Sequence, residues 1–486
     1  MPTKALRRGL PSLFASLVLT MSCRDAAPMS PTPVANPSTW LVRADRGDDQ
    51  TGDAQEETIE PLVASVRDAQ GRAVEGAPLT WIAEGAGTIR PEQAATGADG
   101  TLRATWTLGS AVVPQLVTAT APAGQRVSFR AHIGRAPDVP IDVLEPLAFA
   151  TFEGSGQVVH PDVIGLPYAW DRGRARLLMA ITPYPFGDAN QENPSIFVSC
   201  DGRTWTVPEG ASNPVVRPRN GYLSDPSVVY NPVDHRLWMY YREVVDGQNV
   251  IRLVTTLDGI RWNGPDEVIR VPAHGLISPS VVRRGASEWL MWSVNGGPNG
   301  CYNSDAFLDL RRSSDGVHWS RPERTRLDQP GGYPWHVDVH WIRRRQEYWA
   351  LYNLKVSGSC TTSALYLATS TDGVNWTTYQ NPVLQRDAIP AFADVVYRSS
   401  FLFSAADDAV TFYFSGARFD GRHYVWAAAM QRRDRAALFE DLNRTPGVLL
   451  MRARRSLPNP EAVLIPRRRK PQPRSPAPPR RSLLAR

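Results

Sequence analysis

Apolar and polar residues alternate in short runs over most of the chain, the period-two signature of half-buried β-strands. Between residues 41 and 134 the runs Leu62–Val66, Leu79–Ala83, Leu102–Trp106 and Gln115–Thr120 read as strands, with turns at Gln70-Gly71, Asp99-Gly100 and Ala123-Gly124. About 90 residues patterned in this way suggest a β-sandwich. From about 140 to 430 the alternation falls into a repeat. Ser199-Cys200-Asp201-Gly202-Arg203-Thr204-Trp205 returns in related form around Asp258, Asp315 and Asp372, each aspartate 57 residues after the last. A fixed period marks repeated supersecondary units. Each copy is also a sensible turn: Asp caps backbone N–H groups, Gly accepts a positive φ, and Trp packs at the next strand.

First strands of the repeat are expected at His160–Ile164, Asp225–Tyr230, Ser278–Val282, His336–Trp341 and Arg398–Phe403. Second strands include Arg236–Tyr241 and Glu347–Tyr352. The fifth unit has no turn motif, because Ala429 stands one period after Asp372. Five small sheets that cannot bury both faces alone stack radially. The predicted fold is therefore all-β, a five-bladed β-propeller at 140–445 preceded by a β-sandwich at 41–134. A short closing helix is expected over 433–443.

Composition changes the picture mainly at the ends. Lys4, Arg7 and Arg8 precede the apolar run Leu13–Leu19 and then Ser22-Cys23, so residues 1–23 read as an export signal. That segment resembles a bacterial lipoprotein signal, which implies lipidation at Cys23 and an envelope location held by a lipid anchor, with ordinary secretion as the alternative. Residues 24–40 are a Pro- and Ser-containing linker. The net charge of +6 is concentrated in the tail: residues 451–486 hold eleven Arg or Lys and one acid, which leaves 43 bases against 47 acids elsewhere. The remainder is mildly acidic and gives no reason to expect nucleic acid as a partner. The tail, 446–486, is expected to be disordered. Cys200 is expected as a buried thiol, and Cys301 and Cys360, in corresponding loops of successive repeats, as a disulfide.

Candidate chemistry lies where first strands meet at the axis. Side chains two apart on a strand share a face, which groups His160 with Asp162, Asp225 with Ser227, Ser278 with Ser280, His336 with Asp338 and His340, and Arg398 with Ser400. Carboxylates, imidazoles and a guanidinium gathered around one axis shift each other's pKa values, which suits acid–base work. Upper loops add Glu192, Arg242 and Glu243, and Tyr184, Phe186 and Trp335 offer aromatic faces for a sugar.

Two resemblances sharpen this reading. Residues 66–81 and 96–109 resemble invasin-type bacterial Ig-like domains. The repeat, with His160-Pro161-Asp162-Val163-Ile164-Gly165 and Ser224-Asp225-Pro226-Ser227-Val228, resembles the five-bladed propeller glycosidases of the arabinanase/xylosidase and invertase-like clans. That resemblance implies Asp162 as base or nucleophile, Asp225 as modulator of the acid, and a structural cation near His336, with no cofactor required. The clans' acid, a Glu on the third first strand, is missing, since Ser278 and Ser280 stand there; Glu192, Glu243 or Asp338 would have to replace it. The turns also resemble the sialidase Asp-box, without a matching arginine cluster. Three readings follow. The first is an exported glycoside hydrolase acting on a poly- or oligosaccharide through Asp162, Asp225, Asp338 and Glu192, with His160, Tyr184, Arg242, Glu243, Trp335, His336 and Arg398 binding substrate. The second is a surface carbohydrate-binding or adhesion protein, and the third a metal-dependent hydrolase using His160, Asp162, His336, Asp338 and His340.

Overall fold

A computed structural model describes residues 36–444 except for 85–86, 111–113, 135–139, 171–174, 329–330, 356–361 and 405–407. Cys23, Cys360 and the basic tail therefore lie outside the described residues. The first unit contains two four-stranded sheets. Leu41–Arg46, Leu62–Arg67, Thr101–Leu108 and Gly87–Pro91 form one, and Gln50–Gly52, Arg126–Ile133, Gln115–Thr120 and Thr80–Glu84 the other. Alternate residues of both sheets meet in a single core that includes Leu62, Ala64, Val66, Trp106, Val117 and Phe129.

Five further antiparallel sheets come after it in the chain. Their first strands are Val158–Trp170, Tyr222–Asn231, Ile277–Gly285, Tyr333–Ile342 and Ser400–Phe403. Each packs against the next, and the fifth packs against the first, so the five strands close a ring. Leu144–Leu147 supplies the outer strand of the last sheet by pairing with Tyr424–Asp434. A strand from before the first sheet thus covers the edge of the fifth, which would otherwise be free to pair with another chain. The helix spans Arg435–Asn443, starting two residues later than the sequence pattern predicts. The preceding strand runs on to Asp434, whose side chain then caps the helix by accepting from the Ala437 N–H.

The repeated turns end the third strands and tie neighbouring sheets together. Asp372 Oδ1 accepts the N–H groups of Val374 and Asn375, both at 2.8 Å, and Gly373 takes φ 74°. The Gly373 carbonyl accepts from Trp292 Nε1 of the preceding sheet at 2.8 Å. The Gly316 carbonyl does the same for the Tyr240 hydroxyl. Backbone and side-chain hydrogen bonds within the turns hold Asp315 and Asp372 well below the usual carboxylate range. Cys200 is a free, exposed thiol, contrary to the expectation of burial, because the turn directs it to solvent. Cys301 is disulfide-bonded.

The first unit docks against the ring at the far ends of the first strands. Buried Glu60 accepts from the hydroxyls of Tyr168 at 2.9 Å and Tyr230 at 2.7 Å, and lies 2.6 Å from His235 Nδ1. Arg343 Nη1 donates to the Glu57 carbonyl at 2.9 Å nearby.

Candidate active site

His160, Asp225 and Ser278 occupy equivalent positions in successive first strands, each directly before a proline, and each has a left-handed φ, of 58°, 49° and 54°. A non-glycine residue carries strain of order 1–3 kcal/mol there. The pairing register slips at the same places, between Val159 and Asp162, Ser224 and Ser227, and Ile277 and Ser280. These bulges re-aim side chains, and they overturn the expectation that His160 and Asp162 act on one face. The expected catalytic group divides into two buried clusters.

The upper cluster holds His160, Asp225 and His336, whose ligating atoms all lie within 4.8 Å of one another. Asp225 Oδ1 is 3.5 Å from His160 Nε2 and 3.2 Å from His336 Nδ1. Among the described residues these three buried atoms make no hydrogen bond outside the cluster, and their contacts are with one another. The remaining atoms of His160 and Asp225 are engaged. His160 Nδ1 lies 2.9 Å from Glu192 Oε1 and 3.3 Å from the Thr182 hydroxyl. Asp225 Oδ2 takes Arg242 Nε at 2.9 Å and the Ser224 hydroxyl at 3.0 Å. Ser224 is itself fixed by Arg242 Nη2 at 2.7 Å.

Electrostatics follow from this burial. Desolvation holds His160 and His336 below the ordinary imidazole value, so both present neutral lone pairs. Burial, with Asp225 nearby, pushes Glu192 well above the carboxylate range. Burial opposes ionisation of Asp225 too, but the Arg242 guanidinium outweighs it and holds the carboxyl well below its usual value. Buried polar groups are normally paired. Two neutral imidazole nitrogens and one carboxylate oxygen, buried within 4.8 Å of one another, are a set of donors that could hold a divalent cation. Neighbours on the other ligand atoms orient such donors, as Glu192 and Arg242 do here.

The lower cluster holds Asp162, Asp338, His340 and Arg398, and its acids are satisfied. Asp162 Oδ2 accepts the Val228 N–H at 3.0 Å, and Asp338 Oδ2 lies 3.0 Å from His340 Nε2. Arg398 lies between the acids, 3.7 Å from Asp162 and 4.0 Å from Asp338, and donates to the Pro226 carbonyl at 2.7 Å. The Asp162 bond belongs to a belt of side-chain caps around the axis. Ser227 accepts the Val281 N–H, Ser280 the Val339 N–H and Ser400 the Val163 N–H. Asp162 and Asp338, expected beside Asp225 in catalysis, and Arg398, expected on substrate, therefore sit in the brace that joins the sheets.

The other expected residues separate in the same way. Arg242 reaches the upper cluster, whereas Glu243 turns away to Arg252 at 2.8 Å. Trp335 packs with its ring 5.9 Å from His336, and the Tyr184 ring lies tilted against Trp426 at 5.1 Å. Sequence reasoning missed Tyr397, whose ring lies 4.3 Å from His336 and 5.2 Å from His160. Its position immediately before Arg398 was the available signal, but period two turned attention to Arg398 and Ser400.

No family model matches the chain. It is 30% identical over 323 residues to an A type blood N-acetyl-α-D-galactosamine deacetylase of Flavonifractor plautii, a match that spans 57% of this chain and 40% of that protein. Among solved structures, it resembles an N-acetylgalactosamine deacetylase from F. plautii in complex with blood group B trisaccharide. The TM-score is 0.55 at 24% identity, covering 65% of this chain and 98% of that one. A thermostable family-43 glycoside hydrolase gives a TM-score of 0.43 at 12% identity, covering 61% of this chain and 92% of the other. The likeness to the F. plautii structure shows a shared fold.

Proposed function

We propose that this chain is a carbohydrate-active hydrolase that removes the N-acetyl group of an amino sugar, with a divalent cation held by His160 Nε2, Asp225 Oδ1 and His336 Nδ1. The observation that carries the reading is the gathering of those three buried atoms within 4.8 Å, with no hydrogen bond outside the cluster among the described residues. The deacetylase named for the F. plautii relative supports amide rather than glycosidic chemistry. We read the ring of five sheets as a five-bladed β-propeller and the first unit as an Ig-like sandwich, and we place the protein in the envelope, exported as a lipoprotein. This reading gives a functional part to the cation that the sequence resemblance implied near His336.

When bound, the cation would polarise the acetyl carbonyl and acidify water. The chain's own groups then have separate tasks. Arg242 and Ser224 fix the Asp225 carboxylate so that Oδ1 faces the two imidazoles. Glu192 takes the His160 Nδ1 proton into a hydrogen bond, which leaves Nε2 as a lone pair. Glu192 in its ionised form is the acceptor for the proton lost as water adds to the carbonyl carbon. It is then the donor to nitrogen as the C–N bond breaks. The products are acetate and a primary amine on an intact glycan. Tyr184, Trp335 and Tyr397 wall the cluster with aromatic faces suited to a sugar ring.

A second reading, hydrolysis of the O-glycosidic bond, is favoured by one observation: Glu192 and Asp225 both contact His160 and are shifted in opposite directions, as an acid–base pair would be. Incubating the protein with a glycan that ends in an N-acetylhexosamine separates the readings. Acetate with a new amine supports deacetylation, a released sugar supports the glycosidase, and retention of the glycan without product supports a binding protein.

A further inference from the structure

Beside the buried cluster an open groove of about 680 Å³ is lined by Glu153, Phe186, Asp188, Gln191 and His423. Phe186 is 53% exposed, so its ring faces the groove's solvent, and its backbone sits in the left-handed region at φ 56°. Its ring lies 5.8 Å from that of His423, which comes from a different sheet. The loop is pinned in place: Gln157 Oε1 accepts both the Phe186 N–H at 3.2 Å and the Trp426 N–H at 3.0 Å.

Two chain segments link the groove to the buried cluster. The lining residue Gln191 precedes Glu192, and Tyr184, two residues before Phe186, lies tilted against Trp426, which meets Tyr397 edge-on at 5.1 Å; Tyr397 in turn meets His336. Charge defines the occupant. Among the described residues no lysine or arginine lines the groove, and two carboxylates do. Both bonds from Asn190 fall on Asp188 Oδ1, which leaves Oδ2 to accept from a ligand. Aromatic faces combined with acceptors and no cation fit a polyhydroxylated, uncharged ligand and repel an anionic one.

We infer that this groove is a second saccharide subsite, which binds the neutral sugars carrying the amino sugar that reacts at the His160–Asp225–His336 cluster, and that it discriminates against acidic glycans. The inference rests on the proposed reactivity of that cluster. The test compares kcat/KM for a neutral trisaccharide ending in an N-acetylhexosamine with that for the simple N-acetylhexosaminide. Wild type favours the trisaccharide, and Phe186→Ala and His423→Ala each lower that preference about tenfold through KM, the scale of losing an aromatic anchor. Equal treatment of both substrates by wild type, or an unchanged preference in both variants, overturns the subsite. Calorimetric binding of the same trisaccharide decides the matter even if no acetate is released. Binding weakened about tenfold in the variants upholds the subsite, and unchanged binding overturns it. A sialylated counterpart that binds as tightly as the neutral glycan would overturn the charge discrimination.

Discussion

At the residue scale, the site is built by three bulges that each place a residue before proline in the left-handed region. Residues before proline ordinarily adopt extended conformations, so His160 and Asp225 hold their geometry only because the ring over-determines it. Glu192 acts on the cluster through His160 Nδ1. Glu192→Gln is expected to lower divalent-metal affinity about 10–100-fold, the usual effect of losing a partner that orients a ligand, with the folded state retained by circular dichroism. Protonation works in the same place. The folded-state pKa values of His160 and His336 are depressed by burial, whereas the unfolded chain takes protons near pH 6.5. In metal-free protein their contribution to stability is present above that pH and is lost as pH falls through it. Denaturant titrations are expected to show a falling midpoint on the acid side of pH 6.5; a flat midpoint down to about pH 5 would exclude this contribution. The His and Asp ring was legible in the sequence. Its division was not, because period-two alternation assumes a regular strand, and the slip between Val159 and Asp162 sends His160 and Asp162 to separate clusters.

At the element scale, the 57-residue spacing located the turns because each needs the same local chemistry: an acceptor for two N–H groups, a glycine at positive φ and a tryptophan. What it concealed is that the turns also join sheets. A Cβ on Gly373 would lie 2.6 Å from Trp292 Cζ2, at a residue with φ 74°. Gly373→Ala is therefore expected to cost about 1–3 kcal/mol, read as a lower denaturation midpoint at unchanged slope. A cost near zero would mean that the turn yields without disturbing the neighbouring sheet. The belt of caps from Asp162, Ser227, Ser280 and Ser400 was invisible to sequence reasoning for a similar reason. Each bond runs to a backbone N–H on a strand of another sheet, far away along the chain, and no pattern within one strand reports its neighbour.

At the scale of the whole molecule, two units are joined through polar contacts centred on Glu60, which is 2% exposed. Removing it deprives Tyr168, Tyr230 and His235 of a shared acceptor. Glu60→Ala is expected to destabilise the docking by about 2 kcal/mol and to split a single thermal transition into two, measured by calorimetry. Retention of one unchanged transition would show that the remaining contacts suffice. Glu60 could not be singled out from sequence, since its partners lie far ahead in the chain. The strands of the first unit were legible from alternation, and those of the later sheets from alternation together with the 57-residue repeat. Their chemistry became readable only once the ring had gathered His160, Asp225 and His336.

Titrating zinc or manganese into chelator-stripped protein by calorimetry shows whether these three residues form a metal site. Wild type is expected to bind one ion tightly per chain, and His336→Ala none. A wild type that binds no ion, or a variant that binds as wild type does, would rule the site out.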